Sequence, residues 1–257
     1  MIKISKSHPP NPLTLFSSES PDADWKDFRN LNSGNDYKLL QDLVFNDQFR
    51  LCAYCEVDTG TVPQNKRLEH FVSKSLAIHH HTDWNNILGV CVGGSDYENT
   101  KVRGYITPEN LSCDAHKAFL ESKYATLSRD WSGVIVNPLY LPEVHNFFSF
   151  DKAKGELQAN VDYCNGHHFA HNKHDSTLEL INKTIEVLNL NCARLCDARR
   201  QILFRFNSEL NRALKSRDLD RLKNFATFWL AIPAKEFQTT RNIILRENTL
   251  IAKLLNA

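Results

Sequence analysis

Hydrophobic and polar positions divide the chain into three stretches of different pattern. Residues 1–35 are rich in Pro, Ser and Asn and contain two short apolar patches, which predicts an extended N-terminal arm. Asp36 can cap a helix, and an apolar stripe at helical spacing follows it (Leu39, Leu40, Leu43 and Val44). We therefore expect a helix from Asp36 to about Phe49.

The middle of the chain, roughly residues 50–165, lacks long periodic runs. Short apolar segments such as RLEHFV, VIVNPLY and NFFSF alternate with Gly, Pro, Asn and His. This pattern is typical of short strands joined by loops. We expect those strands and loops to surround a functional site.

Helical periodicity dominates the last third of the chain. Ser176 and Glu179 form an S-x-x-E capping box ahead of an apolar stripe (Leu178, Ile181, Ile185 and Leu188). A second helix is predicted from the spacing of Leu195, Ile202, Phe206, Leu210 and Leu214. Two more are expected around Leu219–Leu230 and Phe237–Leu255, separated by Pro233. The predicted fold class is α+β, with an arm (1–35), a mixed domain (36–165) and a C-terminal helical region (166–257).

Length and composition are those of an ordinary globular protein. The chain has 257 residues, 42% hydrophobic and 24% charged, enough for one large domain or two small ones. The segment MIKISKSHPPNPLTLF has no apolar core of a signal peptide, and no run reaches the length of a membrane span. We therefore expect a cytoplasmic protein without a membrane partner.

The net charge of +1 conceals an asymmetry. Residues 191–257 contain 13 Lys and Arg against 6 Asp and Glu, a balance of +7, so residues 1–190 carry −6. A basic helical region favours binding of a polyanion or of an acidic partner surface. The alternative is a solvated basic face without a partner.

Four of the seven cysteines are candidate ligands of a structural zinc ion. Cys52 and Cys55 have the two-residue gap of a zinc knuckle. A redox pair has the same gap, but it would stand between a strand and a helix, whereas a polar loop follows here. The next cysteines, Cys91 and Cys113, complete a four-thiolate set; unligated core cysteines are the alternative. The odd number argues against a disulfide framework, and we expect the remaining three to be buried thiols (Cys164, Cys192 and Cys196).

Three short motifs follow the first cysteine pair in a fixed order. RLEHFVSKS carries Glu69 and His70, NNILGVC carries Asn86, and CDAHK carries Asp114. Together with the cysteines, this order over about residues 50–120 resembles an HNH, or ββα-metal, endonuclease module. The match departs from the common zinc-bearing form, because 21 residues separate Cys91 from Cys113 and Asp114 stands where His or Asn is usual.

A narrower resemblance extends over most of the chain. The motifs EHF, GVC-x-G-G and C-D-x-x-K, with Ile4, Lys6 and Pro9 near the start, are similar to the PtuB-type HNH nuclease subunit of Septu anti-phage systems, which also occurs beside retrons. The resemblance implies an ABC/SMC-like ATPase partner. It is also compatible with a retron reverse transcriptase and its nucleic acid.

The family's chemistry assigns roles to these residues. Glu69 and Asp114 are the oxygen donors for a catalytic Mg²⁺ or Mn²⁺ ion, with His116 as the alternative third ligand. Neutral His70 would take a proton from water, oriented by Asn86. Asn85 is the alternative to Asn86. The lysines Lys74 and Lys117 would contact phosphates.

The implied reaction is metal-dependent hydrolysis of nucleic-acid phosphodiester bonds, with DNA as the favoured substrate. An RNase, acting for example on tRNA, is the alternative within the enzyme class, since an HNH core does not distinguish the two sugars. A zinc-stabilised binding module with a dead active site is the alternative from another class. The histidine run His79–His81 is interpreted as a solvated loop. A metal site formed by His167, His168, His171 and His174 has no spacing template in its favour.

Overall fold

Ten α-helices and four short strands form the part of the chain that the computed structural model describes, residues 1–96, 104–124, 126 and 128–256. In chain order they are α1 (Asn11–Glu19), α2 (Trp25–Asn30), α3 (Asn35–Asp47), β1 (Lys66–His70), β2 (Ile87–Cys91), α4 (Cys113–Lys123), β3 (Phe148–Asp151), β4 (Glu156–Ala159), α5 (Val161–Asn165), α6 (Thr177–Val187), α7 (Ala193–Ser216), α8 (Leu219–Leu230), α9 (Gln238–Arg246) and α10 (Thr249–Asn256). The fold thus mixes helices with two small antiparallel sheets.

The prediction of an extended arm over residues 1–35 was wrong for residues 11–19 and 25–30, which form α1 and α2. Asp24 starts α2 with a capping box, in which its side chain accepts from the Asp27 amide and the Asp27 side chain accepts from the Asp24 amide. The apolar patches of this segment are buried in a small core of their own, against α3 and the start of β2 (Leu13, Phe16, Trp25, Phe28, Leu40, Val44, Trp84 and Ile87). Burial of these side chains stabilises helices that are too short to form alone.

The expected helix after Asp36 is present as α3, which begins one residue earlier, at Asn35, and ends at Asp47. Of the predicted stripe, Leu40 and Val44 are buried and Leu43 is partly buried, whereas Leu39 is exposed. The next turn returns the chain to the sheet, because the Gln48 side chain donates to Gly89 O (2.7 Å) and accepts from Gly89 N (2.8 Å). α3 is thereby attached to the middle of β2.

Strands β1 and β2 pair antiparallel, with Glu69 opposite Leu88 and His70 opposite Ile87. Helix α4 packs against β2 and α6. The chain passes very close to α4 just after β2, where Gly93 has φ +63° and a Cβ would lie 2.2 Å from Ser112 O. Gly93 is therefore required at this position. The Gly93 carbonyl accepts from the Ser112 amide (2.9 Å), which brings the start of α4 beside the end of β2.

The C-terminal helices pack on the large hydrophobic core that also contains the four candidate zinc cysteines. The Ser176 side chain caps α6 by accepting from the Glu179 amide (3.1 Å), as predicted. The Glu179 carboxylate accepts from the Asp175 amide (3.1 Å) instead of the Ser176 amide, so the second bond of the predicted capping box is displaced by one residue. The helix expected over Phe237–Leu255 is two helices, because Asn248 caps a new one through its side chain and the Ile251 amide (3.0 Å). No described helix has both the length and the apolar composition needed to cross a bilayer.

Candidate functional site

Four buried cysteine side chains meet at one point, as the sequence predicted. The Sγ atoms of Cys52, Cys55, Cys91 and Cys113 all lie within 4.8 Å of one another. Cys52 and Cys113 are 3.7 Å apart, and Cys55 and Cys91 are 3.6 Å apart. Four thiolates at about 2.3 Å from one tetrahedral ion would be separated by about 3.8 Å. The group could therefore hold a metal ion such as zinc.

Backbone pairing positions the first two cysteines against β2. The Ala53 amide donates to Gly89 O (2.9 Å), and the turn is closed by a bond from the Glu56 amide to Cys52 O (3.0 Å). Glu56 also anchors the C-terminal region, since its carboxylate accepts from the Thr239 amide (2.8 Å). The cysteine cluster thus joins this turn to β2 and α4, and Glu56 joins the same turn to α9.

The other three cysteines are buried thiols outside this cluster, as expected (Cys164, Cys192 and Cys196). One cation, Arg194, lies close enough to the cluster to interact with its thiols. Arg194, which donates to Ser112 Oγ (2.8 Å), is largely buried. Burial alone would lower the pKa of its guanidinium, but the neighbouring cysteines raise it overall. A cation beside four thiolates is the arrangement that stabilises their charge.

Glu69 and Lys117 form a buried ion pair next to the cysteines. The Lys117 ammonium donates to Glu69 Oε1, and the two side chains are 4% and 3% exposed. Lys117 was predicted to contact phosphates; in the structure it points inward from α4 to β1. Burial raises the pKa of Glu69 to about 7, with Lys117 opposing the shift and Asp114 adding to it. Asp114 stands in the first turn of α4, the helix that also carries Lys117.

The second carboxylate oxygen of Glu69 and the hydroxyl of Tyr54 make no well-formed hydrogen bond within the described part of the chain. The two side chains nevertheless lie close enough for Tyr54 to oppose the rise in the pKa of Glu69. Both atoms are buried. Tyr54 stands between the two knuckle cysteines, and burial together with Glu69 raises the pKa of its hydroxyl well above the ordinary value. A buried carboxylate oxygen without a partner is costly unless a ligand satisfies it. Sequence analysis missed Tyr54, although its place inside the Cys-x-x-Cys gap was a usable signal.

His70 is enclosed by three groups. Its Nε2 lies 3.0 Å from His81 O, its Nδ1 lies 3.4 Å from Lys74 Nζ, and the ring of Trp25 packs on it edge-to-face. Burial, followed by the nearby Lys74, lowers the pKa of His70 to about 3. The imidazole is therefore neutral at physiological pH.

Hydrogen bonds define the tautomers of the two histidines. His81 Nδ1 accepts from the Trp25 amide (2.8 Å), so its Nε2 carries the proton that is donated to Lys74 O (3.1 Å). Since a backbone carbonyl can only accept, His70 Nε2 donates to His81 O. The lone pair of His70 is then on Nδ1, beside Lys74 Nζ. His81 is thus bonded within the site, not solvated as expected, whereas His79 is exposed.

Asn86 is buried beside the site, but its amide is bonded to backbone groups rather than to the imidazole. It accepts from Val72 N (2.7 Å) and donates to Val72 O (2.9 Å) and His80 O (3.0 Å). The expectation that Asn86 orients the His70 ring directly was therefore wrong. Asn86 instead bonds the carbonyl of His80, which precedes the His81 carbonyl that accepts from His70 Nε2.

The remaining candidate site residues predicted from the sequence have other partners or are exposed. His116 is directed from α4 to α6, where its Nδ1 donates to Val187 O (2.7 Å). Asn85 is exposed. In the histidine cluster, His167 and His174 are bonded to the carbonyls of Tyr163 and Val134. Within the described residues, the four cysteines are the set of three or more potential metal ligands that converges.

Comparison with known proteins identifies the family. The chain is 40% identical, over 261 aligned positions, to a protein of Escherichia coli named "Retron Ec83 putative HNH endonuclease"; the alignment covers 100% of this chain and 98% of that protein. No family model matches the chain. Identity of this extent over the full length shows that the chain belongs to the HNH endonuclease family, which confirms the resemblance seen in its motifs.

Proposed function

We propose that this protein is a metal-dependent HNH endonuclease that hydrolyses phosphodiester bonds of nucleic acid. The observation that carries the proposal is the adjacency on β1 of Glu69, which forms a buried ion pair with Lys117 of α4, and His70, whose enclosed imidazole is neutral. Asp114 stands in the first turn of the same α4, directly after a cysteine of the four-cysteine cluster. β1, β2 and α4 correspond to the ββα-metal core of the family. The full-length relative with an HNH endonuclease name supports the same activity.

The four-cysteine cluster is assigned to structural zinc. The Sγ separations of 3.6 and 3.7 Å match a tetrahedral thiolate site, and all four side chains are buried, which leaves no open coordination position. Zinc at this point would connect the knuckle, β2 and the first turn of α4. It would thereby hold the carboxylates of β1 and α4 at a fixed separation.

The catalytic ion is assigned to Mg²⁺ or Mn²⁺, held by Glu69 and Asp114. Both ions prefer oxygen ligands, and the Glu69 Oε2 atom is buried with no partner in the described part of the chain. When bound, such an ion neutralises charge on the scissile phosphate and stabilises the leaving oxygen. His116 is the weaker candidate, because its imidazole is engaged with Val187 on the opposite side of α4.

His70 is the proposed general base. Its neutral ring has a lone pair on Nδ1, while the Nε2 proton is donated to the His81 carbonyl and orients the ring. In the structure that lone pair faces Lys74 Nζ (3.4 Å), so Nδ1 would take a proton from the attacking water once Lys74 turns from the ring to the phosphate. Lys74, which lies beside Nδ1 and is half-buried, is placed to meet the phosphate that the water attacks.

The biological setting is inferred from the relative and from the family resemblance. The name of the relative includes the word retron, which supports a retron setting. A cytoplasmic role in anti-phage defence, beside a retron reverse transcriptase and its nucleic acid, is proposed from the resemblance of the motifs. An ABC/SMC-like ATPase partner is proposed from the PtuB-type resemblance. DNA is the favoured substrate, and tRNA is the alternative.

A cleavage assay tests the activity. Purified protein, alone and with the ATPase encoded beside it, is incubated with plasmid DNA, phage DNA and total RNA in Mg²⁺ or Mn²⁺. We expect cleavage of DNA by the wild type and none by His70→Ala at equal thermal stability. Cleavage of RNA but not of DNA would show that the protein is an RNase. Folded, zinc-loaded wild-type protein that cleaves neither nucleic acid with its partner present would select the binding module.

A further inference from the structure

A cavity of about 530 Å³ adjoins the loop that holds the proposed general base in place. Val72, His80 and Asn86 form part of its wall. The Asn86 side chain bonds the backbone of Val72 and the carbonyl of His80, and the next carbonyl, that of His81, accepts from His70 Nε2. A ligand in the cavity would therefore contact the same hydrogen-bonded segment that orients the imidazole.

Two loops outside the ββα core form much of the remaining wall, residues 132–140 and 168–172. Gly133 has φ +72°, and a Cβ at this position would lie 1.9 Å from His171 O. The Gly133 carbonyl accepts from the Lys173 amide (2.9 Å). The two loops are thus fixed to each other, and the shape of the cavity is built into the fold.

The lining of the cavity suits a planar, uncharged ligand. Tyr140 lines it with a ring that is 64% exposed, and four buried apolar side chains line its inner part (Phe71, Ile135, Val136 and Leu180). None of the described residues that line the cavity is Lys or Arg, so a phosphate group would meet no positive side chain there. The volume falls within the range of roughly 300–1,000 Å³ that is usual for sites of small ligands.

Polar groups on the wall match the edge of a nucleobase. Asn137 and Asn172 each use the side-chain oxygen to accept from the backbone amide two residues later (2.9 Å in both). Their side-chain NH₂ groups have no hydrogen-bond partner in the described part of the chain. His168 and His171 add imidazole nitrogens to the wall. Carboxamides and imidazoles hydrogen-bond to base edges, and aromatic rings stack on base faces.

We propose that this cavity binds one unstacked nucleobase of the nucleic acid on which His70 acts, with Tyr140 stacked on the face of the base and the free amides of Asn137 and Asn172 at its edge. This inference rests on the proposed function and adds a base-binding site to it. A base that is stacked within a duplex cannot enter such a cavity, so cleavage should favour single-stranded or distorted positions. The two exposed histidines of the wall then contact a base, not a metal ion.

Saturation-transfer NMR on the full-length, zinc-loaded protein tests the site with four nucleosides (guanosine, adenosine, cytidine and uridine) and with ribose 5-phosphate, which has no base. We expect transfer to base protons of the nucleosides and none to ribose 5-phosphate. Tyr140→Ala should weaken nucleoside binding about tenfold, the usual size of a base–aromatic stack. Tyr124→Ala, at an exposed tyrosine outside the cavity, should have no effect. Absence of transfer to base protons, equal transfer to ribose 5-phosphate, or equal binding by the two tyrosine variants would overturn the inference.

Cleavage of a short single-stranded oligonucleotide distinguishes a base within a strand from a free nucleoside. Ala170→Trp places a large side chain at an exposed position of the wall, and Ala153→Trp is the same change at an exposed position elsewhere. We expect Ala170→Trp to lower kcat/KM at least about tenfold, because it blocks the stacked base, whereas Ala153→Trp should match the wild type. If nucleosides bind but both tryptophan variants cleave as the wild type does, the cavity serves a free nucleoside and the inference is overturned. A wild type that binds nucleosides through Tyr140 but cleaves no nucleic acid would refute the proposed function, whereas the base-binding site itself would be confirmed.

Discussion

The indole of Trp25 lies edge-to-face on the imidazole of His70, with ring centroids 4.5 Å apart and planes at 84°. Trp25 is the first residue of α2 and is itself buried. The N-terminal segment therefore covers the proposed general base. The backbone amide of Trp25 also donates a hydrogen bond to the ring of His81. The carbonyl of His81 in turn accepts a hydrogen bond from His70 Nε2. A short helix far from β1 in sequence thus determines both the burial and the orientation of His70.

Removing the indole should expose His70. Burial is the largest cause of its low pKa, so we expect Trp25→Ala to raise the pKa of His70 from about 3 toward the ordinary value near 6.5. Histidine resonances followed by NMR against pH, with His70→Ala for assignment, measure the change. Phe16→Ala removes another ring of the same small core without touching His70 and should leave the value unaltered. An equal shift in both variants would mean general loosening of the core.

The same burial makes stability depend on pH. The folded-state pKa of His70 is about 3, below the unfolded value of about 6.5, so between these values the unfolded chain binds a proton that the folded chain does not. The free energy of unfolding should therefore fall as pH falls below 6.5. From pH 7.5 to pH 5, this group should cost the wild type about 2 kcal/mol relative to His70→Asn. Urea denaturation of both proteins at each pH measures the difference; parallel pH profiles would contradict the expectation.

Zinc should be required for the folded state. We expect about one zinc ion per chain, and we expect Cys52→Ser to lose both the metal and the cooperative unfolding transition, because structural zinc contributes directly to folding. Elemental analysis and thermal unfolding measure these. Cys196→Ser, the same change at a buried cysteine outside the cluster, should retain zinc. Folded wild-type protein without metal would refute the zinc assignment.

Two neighbouring residues of α4 should behave differently. Asp114→Ala should abolish cleavage, because it removes a proposed ligand of the catalytic ion. His116→Ala should retain most activity and lose about 1 kcal/mol of stability, since it removes the hydrogen bond to Val187 O. Rates at saturating Mn²⁺ and melting curves separate the two effects. An active Asp114→Ala with an inactive His116→Ala would reverse the ligand assignment.

The two adjacent asparagines should be separable by stability alone. Asn86→Ala breaks three hydrogen bonds at a buried site, and we expect a loss of about 2–4 kcal/mol together with reduced cleavage. Asn85→Ala, at an exposed position, should change stability by no more than about 0.5 kcal/mol. Chemical denaturation of the pair tests this. Equal losses would show that the loop depends on both amides.

Local signals in the sequence were sufficient for several elements. The Ser176 cap, the helix over Leu219–Leu230 and the meeting of the four cysteines were all predicted, and all are present. Caps and helical stripes act within a few residues of chain, and ligand spacing restricts which thiols can share an ion. The order of the motifs was also enough to identify the family.

Tertiary structure decided how these parts form a site. The sequence by itself determined the cysteine frame and the adjacency of Glu69 and His70. That α2 covers His70, that Lys117 turns inward to Glu69, and that Asn86 bonds the loop instead of the imidazole followed only from the fold. The physical reason is that these contacts join residues far apart in the chain or depend on the face that a strand or helix presents. These contacts are stable because both partners are buried together. A short segment of sequence does not encode which distant surface will bury it.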